Sequence, residues 1–232
     1  MFKTIWRWIK RIFLFAFISS FIYLLLCKWM MPLITLTQVG SLFNGDGLKR
    51  DYVRWDEISP SVKLAAMASE DQLFPDHNGF DWVAIQKSLK ANPKKKNKIA
   101  GTGASTISQQ TAKNVFLWQS EGLMRYVRKV PEAYFTQLIE WIWGKKRILE
   151  VYLNTIEMGK GIYGIEAAAR QYYYKSAKNL SRNEAAIIIA CLPNPKVYSV
   201  KPQSRFVAWK SQWILRQMRN IEDDPDVQAL MK

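Results

Sequence analysis

The sequence predicts a mainly α-helical protein with one N-terminal transmembrane helix. Three observations carry that expectation. Residues 12–27 form an uncharged apolar run (IFLFAFISSFIYLLLC) preceded by Lys3, Arg7, Lys10 and Arg11. From Ile58 onward the apolar residues recur with helical spacing, without the sustained alternation that argues for a sheet. A chain of 232 residues is long enough for one sizeable core and does not require a second domain.

The anchor is read first. Apolar residues cover every face of residues 12–27, which disfavours a core helix, and no small-x-small cleavage site follows, which disfavours a removed signal peptide. With Trp6, Trp8 and Trp29 at the interfaces, the run reaches spanning length. The expected organisation is a basic cytoplasmic N-terminus (1–11), an anchor (12–31), a Gly-containing connector (32–55), a helical domain (56–220) and a tail (221–232). The excess of positive charge before the span places the N-terminus in the cytoplasm and the domain outside. Cys27 lies at the membrane edge, so a disulfide with Cys191 is not expected; Cys191, within AAIIIACL, reads as a small buried thiol.

Helices are expected over residues 61–69, 82–90, 106–117, 128–143, 146–154, 162–173, 182–192 and 204–219. Residues 91–104 (ANPKKKNKIAGTGA) lack apolar periodicity and predict a mobile loop beside the active site. Lys94, Lys95 and Lys96 there fit either a solvated charge run or contact with substrate or lipid headgroups.

The composition is 49% hydrophobic, yet the formal charge is +15, so a folded domain with anionic partners is expected. Nucleic acid, a phospholipid surface and a phosphorylated substrate are the three classes. An external domain would not meet nucleic acid, and no nucleic-acid-binding motif is present.

Candidate chemistry begins in SEDQLFPDHNGFD, where Glu70, Asp71, Asp76, His77 and Asp81 crowd around the turn formers Pro75, Asn78 and Gly79. A single histidine with no cysteine in this stretch argues against a zinc cage, so an acid–base carboxylate is the better reading. Glu70 follows the apolar run LAAMA and should end a helix against hydrophobic surroundings, where desolvation makes a carboxylate a stronger base. His77 should organise the turn through hydrogen bonds.

In GASTISQQTAKN, Thr106 and Gln109 have capping-box spacing and predict a helix start near Ser105. Free amides at that terminus, with Gln109 and Lys113 on the face of Thr106, would cradle a diphosphate. An ordinary polar surface helix is equally compatible. The segment is not a Walker loop. In RKVPEAYFTQLIE, Pro131 suits a first turn, and Glu132 should face the same side as Arg128.

Together these stretches resemble glycosyltransferase family 51, the peptidoglycan glycosyltransferases, and in particular its monofunctional biosynthetic transglycosylases. Five signatures occur in order between about Asp56 and Asn220. They are Glu70, Asp71, Phe74, His77, Gly79 and Asp81; Gly103 to Asn114; Arg128, Lys129 and Glu132; KKRILEVYLNTIEMGKGIYGIEAAARQYY; and LSRNEAAIIIACLPNPKVYS. One departure is Met124, where the family often has a basic residue; Arg125 stands one position later.

The resemblance implies a lysozyme-like, two-lobed fold and lipid II as substrate, polymerised into β-1,4-linked strands with release of undecaprenyl diphosphate at a bacterial inner membrane. It implies Glu70 as catalytic base and Glu132 as a second catalytic residue that holds a metal or positions the diphosphate. Lys113, Arg128 and Lys129 would bind the diphosphate, and Ser105, Gln109, Gln110 and Asn114 would bind the donor or shape the cleft. Asp71, Phe74, His77 and Asp81 would support the motif, and Glu157, Gly161 and Gly164 the cleft wall. No tightly bound cofactor is expected, although Mg²⁺ or Mn²⁺ would assist the leaving group. The chain ends soon after its last predicted long helix, so glycan polymerisation without cross-linking is expected. Implied partners are lipid II, the growing strand and an anionic membrane surface; other cell wall synthases or division proteins are a further class.

Two other readings compete. A glycan-cleaving enzyme would also use a cleft glutamate but would not need the Lys113 and Arg128 cluster. A membrane-tethered binding protein would explain the charge but not the SEDQLFPDHNGFD arrangement.

Overall fold

A computed structural model describes residues 2–90, 105–119 and 122–232. It divides into two compact units, Met1–Leu33 and Ile34–Lys232.

The first unit is dominated by α1 (Phe2–Cys27), 26 residues long. At 1.5 Å per residue such a helix extends about 39 Å, enough to cross a hydrocarbon core. Its side chains are largely exposed, among them Ile12, Phe13 and Phe15. By length and composition it suits a single membrane span. Lys10 lies over the Trp6 ring and Arg11 over Trp8, each 5.4 Å from the centroid, so the basic end also carries its interfacial aromatics. The helix thus includes nearly all of the basic segment that the sequence reading set apart, and it stops at Cys27 rather than near residue 31.

The second unit contains α2 (Leu36–Phe43), β1 (Lys49–Arg50), α3 (Pro60–Glu70), α4 (Trp82–Lys90), α5 (Ile107–Phe116), α6 (Met124–Val127), α7 (Lys129–Ile142) and α8 (Lys145–Thr155). These are followed by β2 (Glu157–Gly159), β3 (Ile162–Tyr163), α9 (Ile165–Tyr173), α10 (Arg182–Ile189), α11 (Arg205–Ile221) and α12 (Pro225–Met231). The mainly α expectation holds.

Two helix groups form the core. In one, α5 packs against α7 and α8; in the other, α3 packs against α10 and α11. The small residues Ala65, Ala66 and Ala68 of α3 are completely buried, as are Ala185 and Ala186 of α10, which lets these helices approach closely. On α11, Val207, Ile214, Met218 and Ile221 recur on one buried stripe. Enlarging Ala66 to Leu would overpack this contact and cost about 1–3 kcal/mol.

Three elements differ from expectation. Residues 162–173 are not one helix: Ile162 and Tyr163 pair parallel with Lys49 and Arg50 and antiparallel with β2, giving sheet order β1-β3-β2. The helix is interrupted because Gly161 and Gly164 take positive φ, 68° and 84°. A Cβ on Gly164 would lie 2.5 Å from the Asn154 carbonyl oxygen. The stretch read as a connector contains α2, whose capping box joins Thr35 and Gln38. The stretch read as a tail contains α12, with Asp224 as N-cap and Pro225 in its first turn. The loop expected over residues 91–104 lies outside the described residues.

Candidate active site

Glu70 is the last residue of α3, as its sequence context predicts. The helix stops there because Asp71 adopts φ −165° and ψ 83°. The turn that follows is closed by side chains. His77 Nε2 lies 3.0 Å from both oxygens of Asp71, and its Nδ1 accepts the Gly79 amide at 3.1 Å. His77 therefore organises the turn, with Nε2 as the donor toward Asp71. Phe74 is fully buried, edge-on to His77, with the Lys145 ammonium 4.6 Å from its ring centroid. Asp81 accepts the Ala84 amide at 2.8 Å and so starts α4.

This turn is tied to α5. Asp71 Oδ2 accepts the Ile107 amide at 2.9 Å, and the Thr106 hydroxyl donates to the Gly79 carbonyl at 2.7 Å. The predicted capping box is present: Thr106 Oγ1 accepts the Gln109 amide, and Gln109 Oε1 accepts the Thr106 amide. The structure nevertheless corrects one expectation. The Ile107 and Gln109 amides are already bonded to Asp71 and Thr106, so the α5 terminus is not an open diphosphate cradle.

From α5, Gln110 Nε2 donates to Glu70 Oε2 at 3.1 Å, while the Ser69 hydroxyl donates to Glu70 Oε1 at 2.9 Å. The buried Tyr152 hydroxyl lies 3.3 Å from Gln110 Oε1, which orients the amide with its NH₂ toward Glu70. Glu70 is thus held by donors on both oxygens rather than by the purely apolar surroundings that LAAMA suggested.

Cationic groups lie along the same helix and at the start of α7. Glu132 is nearly buried and paired with Lys129 Nζ at 2.5 Å and Arg128 Nε at 3.6 Å. Arg128 also donates to the Trp118 carbonyl at 2.9 Å. Burial lowers the Lys113 pKa, Glu132 opposes that shift, and the nearby Arg128 and Lys129 charges add to it. Two cavities meet at Gln110, Lys113 and Arg128. The larger, about 540 Å³, also reaches Asn114, Glu157 and Lys196. The smaller, about 320 Å³, is lined by Ser105, Gln109, Arg125, Lys129 and Glu132.

Comparison with known proteins places the chain in a family. The family model described as Transglycosylase matches residues 37–219. A biosynthetic peptidoglycan transglycosylase of Bdellovibrio bacteriovorus is 44% identical over 222 residues, covering 93% of this chain and 86% of the relative. A protein of that name from Escherichia coli is 50% identical over 178 residues, covering 77% and 72%. One from Bacteroides thetaiotaomicron is 43% identical over 232 residues, covering 97% and 91%. The chain belongs to the transglycosylase family.

All the predicted site residues of this transglycosylase are described, and part of the set comes together, while Asp71, Phe74, His77 and Asp81 build the turn and the start of α4. Ser105, Gln109, Gln110, Lys113, Asn114, Arg128, Lys129 and Glu132 line one or both cavities, and Glu70 touches Gln110. Arg125, despite its shifted position, joins the smaller cavity. Tyr152 was missed as an individual residue; its place in KKRILEVYLN was the only signal, because its partner Gln110 is 42 residues away. Thr37 was missed, and Asn194 and Lys196 were quoted only within LSRNEAAIIIACLPNPKVYS; all three line the larger cavity.

The donor set does not fit a protein-held divalent cation at Glu132. Its carboxylate is paired with two cations, a third approaches through Lys113, and the described residues contain no cluster of three or more His, Cys, Asp or Glu suited to a metal. Among the described residues Cys27 and Cys191 form no disulfide, and burial pushes the Cys191 thiol up to about 12, leaving it inert near neutral pH.

Proposed function

We propose that this transglycosylase polymerises lipid II, with Glu70 as the base that removes the proton from the acceptor sugar's 4-hydroxyl. The oxygen attacks the anomeric carbon of the growing strand, the bond to the diphosphate breaks, and the α-linkage is inverted to β-1,4. The departing undecaprenyl diphosphate carries the electron pair away and needs positive charge. Lys113, Arg128 and Lys129 supply it. Glu132 positions two of these cations rather than holding a metal, and no step is assigned to a divalent ion.

The observation that carries this reading is the α5 arrangement. Gln110 contacts Glu70, and Lys113, three residues on and about one helical turn away, reaches the cavities shared with Arg128. One rigid element, α5, therefore contacts the base through Gln110 and carries Lys113 of the anion site. Hydrolysis toward an uncharged leaving sugar would make no use of that cation cluster.

The proposed location is a bacterial inner membrane, with α1 spanning it, the N-terminus cytoplasmic and the catalytic unit periplasmic. Exposed Leu123, Val127 and Val130 lie close in sequence to Arg125 and Lys129, a combination suited to an anionic lipid boundary. Incubating the full chain and its Glu70→Gln variant with labelled lipid II and Mg²⁺ tests the reading. Muramidase-sensitive polymer from the wild type alone is expected. Failure to polymerise under conditions where a control enzyme is active, or cleavage of preformed glycan, would overturn it.

A further inference from the structure

Glu157, the first residue of β2, carries a carboxyl that the reaction above does not use. It is 7% exposed, and its Oε1 accepts the Gly161 amide at 3.1 Å. Its Oε2 has no hydrogen bond to another described residue, yet it is not among the sealed polar atoms. Glu157 lines the larger cavity, so that oxygen is available to a group bound there. A carboxylate used only for structure would ordinarily have both oxygens satisfied by the protein.

The charges around the cavity are sorted. Lys113 and Arg128 line it beside Gln110, whose amide donates to Glu70, whereas Glu157 shares it with Thr37 and Asn194. Lys196 does not neutralise Glu157 by direct pairing, because its ammonium is held by Asp46 at 2.6 Å. One set of lining groups therefore suits a diphosphate; the other presents acceptors and amides suited to neutral hydroxyl and amide groups. The volume of about 540 Å³ falls in the range of small-molecule sites. Burial pushes the Glu157 carboxyl above its ordinary value, with the Gly161 amide opposing, as expected for a carboxylate short of donors.

We propose that Glu157 is a sugar-reading residue, whose Oε2 accepts a hydroxyl or amide hydrogen from the ring linked to the diphosphate bound at Lys113 and Arg128. The assignment rests on the transferase reading above and adds a specificity determinant to it. Glu157→Gln retains a carbonyl oxygen for the Gly161 amide but can turn an NH₂ toward the sugar's donor. Glu157→Asp retains the charge and withdraws it by one methylene.

Steady-state kinetics of the full chain with lipid II distinguish the outcomes. Both variants are expected to melt cooperatively and to raise KM, with Gln raising it about tenfold, as for loss of one hydrogen bond to a charged group, and kcat falling less than twofold. A wild-type chain that makes no polymer overturns the transferase reading itself. Wild-type polymerisation with unchanged KM in both variants, or a loss confined to kcat, overturns only the role of Glu157. Loss of cooperative melting in both would assign Glu157 to structure instead.

Discussion

Asp71 Oδ2 accepts the Ile107 amide at 2.9 Å while the same carboxylate holds His77 Nε2 at 3.0 Å. One side chain thereby joins the end of α3, which carries Glu70, to the start of α5, which carries Gln110 and Lys113. This buried carboxylate therefore ties the proposed base to the helix that carries part of the proposed anion site.

Asp71→Asn replaces one acceptor oxygen with a donor that faces either His77 or Ile107. Leaving a buried donor unmatched costs about 1–3 kcal/mol. The variant should show a lower denaturation midpoint and reduced polymerisation, because the distance from Glu70 to α5 relaxes. Wild-type stability measured by chemical denaturation, with unchanged turnover, would show that the clasp does not position the base.

Tyr152→Phe removes the hydroxyl that fixes the Gln110 amide and leaves the ring packing intact. The stability loss should be about 1 kcal/mol. Turnover should fall more than substrate affinity, since Gln110 contacts Glu70 rather than the cation cluster. Separate kcat and KM values measure this, and a change in KM alone would contradict the orienting role.

The parts of the site legible in the sequence are local. The Thr106 and Gln109 capping box, the end of α3 at Glu70, and the Arg128 and Glu132 face of α7 all follow from spacing within one or two turns. The Thr35 and Gln38 box was equally local but short, with Gly40 and Gly45 making its surroundings look like a connector. Other features depend on distant contacts that carry no local pattern. Gly161 must be glycine because a Cβ would meet the Asp46 carbonyl oxygen at 2.2 Å, and Tyr152 matters because α8 brings it to α5. The α5 amides looked free because their partner Asp71 lies 36 residues before Ile107.

Glu132→Gln should affect both stability and the alkaline side of activity. Removing one partner of a buried ion pair leaves the Arg128 charge uncompensated, at about 3–5 kcal/mol. Glu132 also raises the Lys113 pKa against the lowering caused by burial. Lys113 is cationic below its pKa, so activity that needs this charge is lost as pH rises through it. Without Glu132 that pKa falls further, and the alkaline limb of kcat/KM should move to lower pH. A limb at the wild-type position would separate Lys113 from the charge of Glu132.

Lys63 provides a stability test away from the cleft. It is buried, with its ammonium 3.9 Å from the Trp55 centroid, and Lys146 lies over the same ring at 5.4 Å. Burial, reinforced by the Lys146 charge, lowers the Lys63 pKa from 10.5 to about 8. Between these values the unfolded chain binds a proton that the folded chain does not, so the unfolding free energy should rise with pH across that window. Below about pH 8 both states are protonated, and the folded state carries the full penalty of a partly desolvated ammonium. Lys63→Met removes the titrating group and keeps most of the aliphatic stem. Denaturation midpoints measured from pH 7.5 to 10.5 should therefore climb less in the variant than in the wild type, and the two should differ most at the acidic end. Parallel curves would mean that Lys63 titrates alike in the folded and unfolded chains, with the Trp55 contact offsetting its burial.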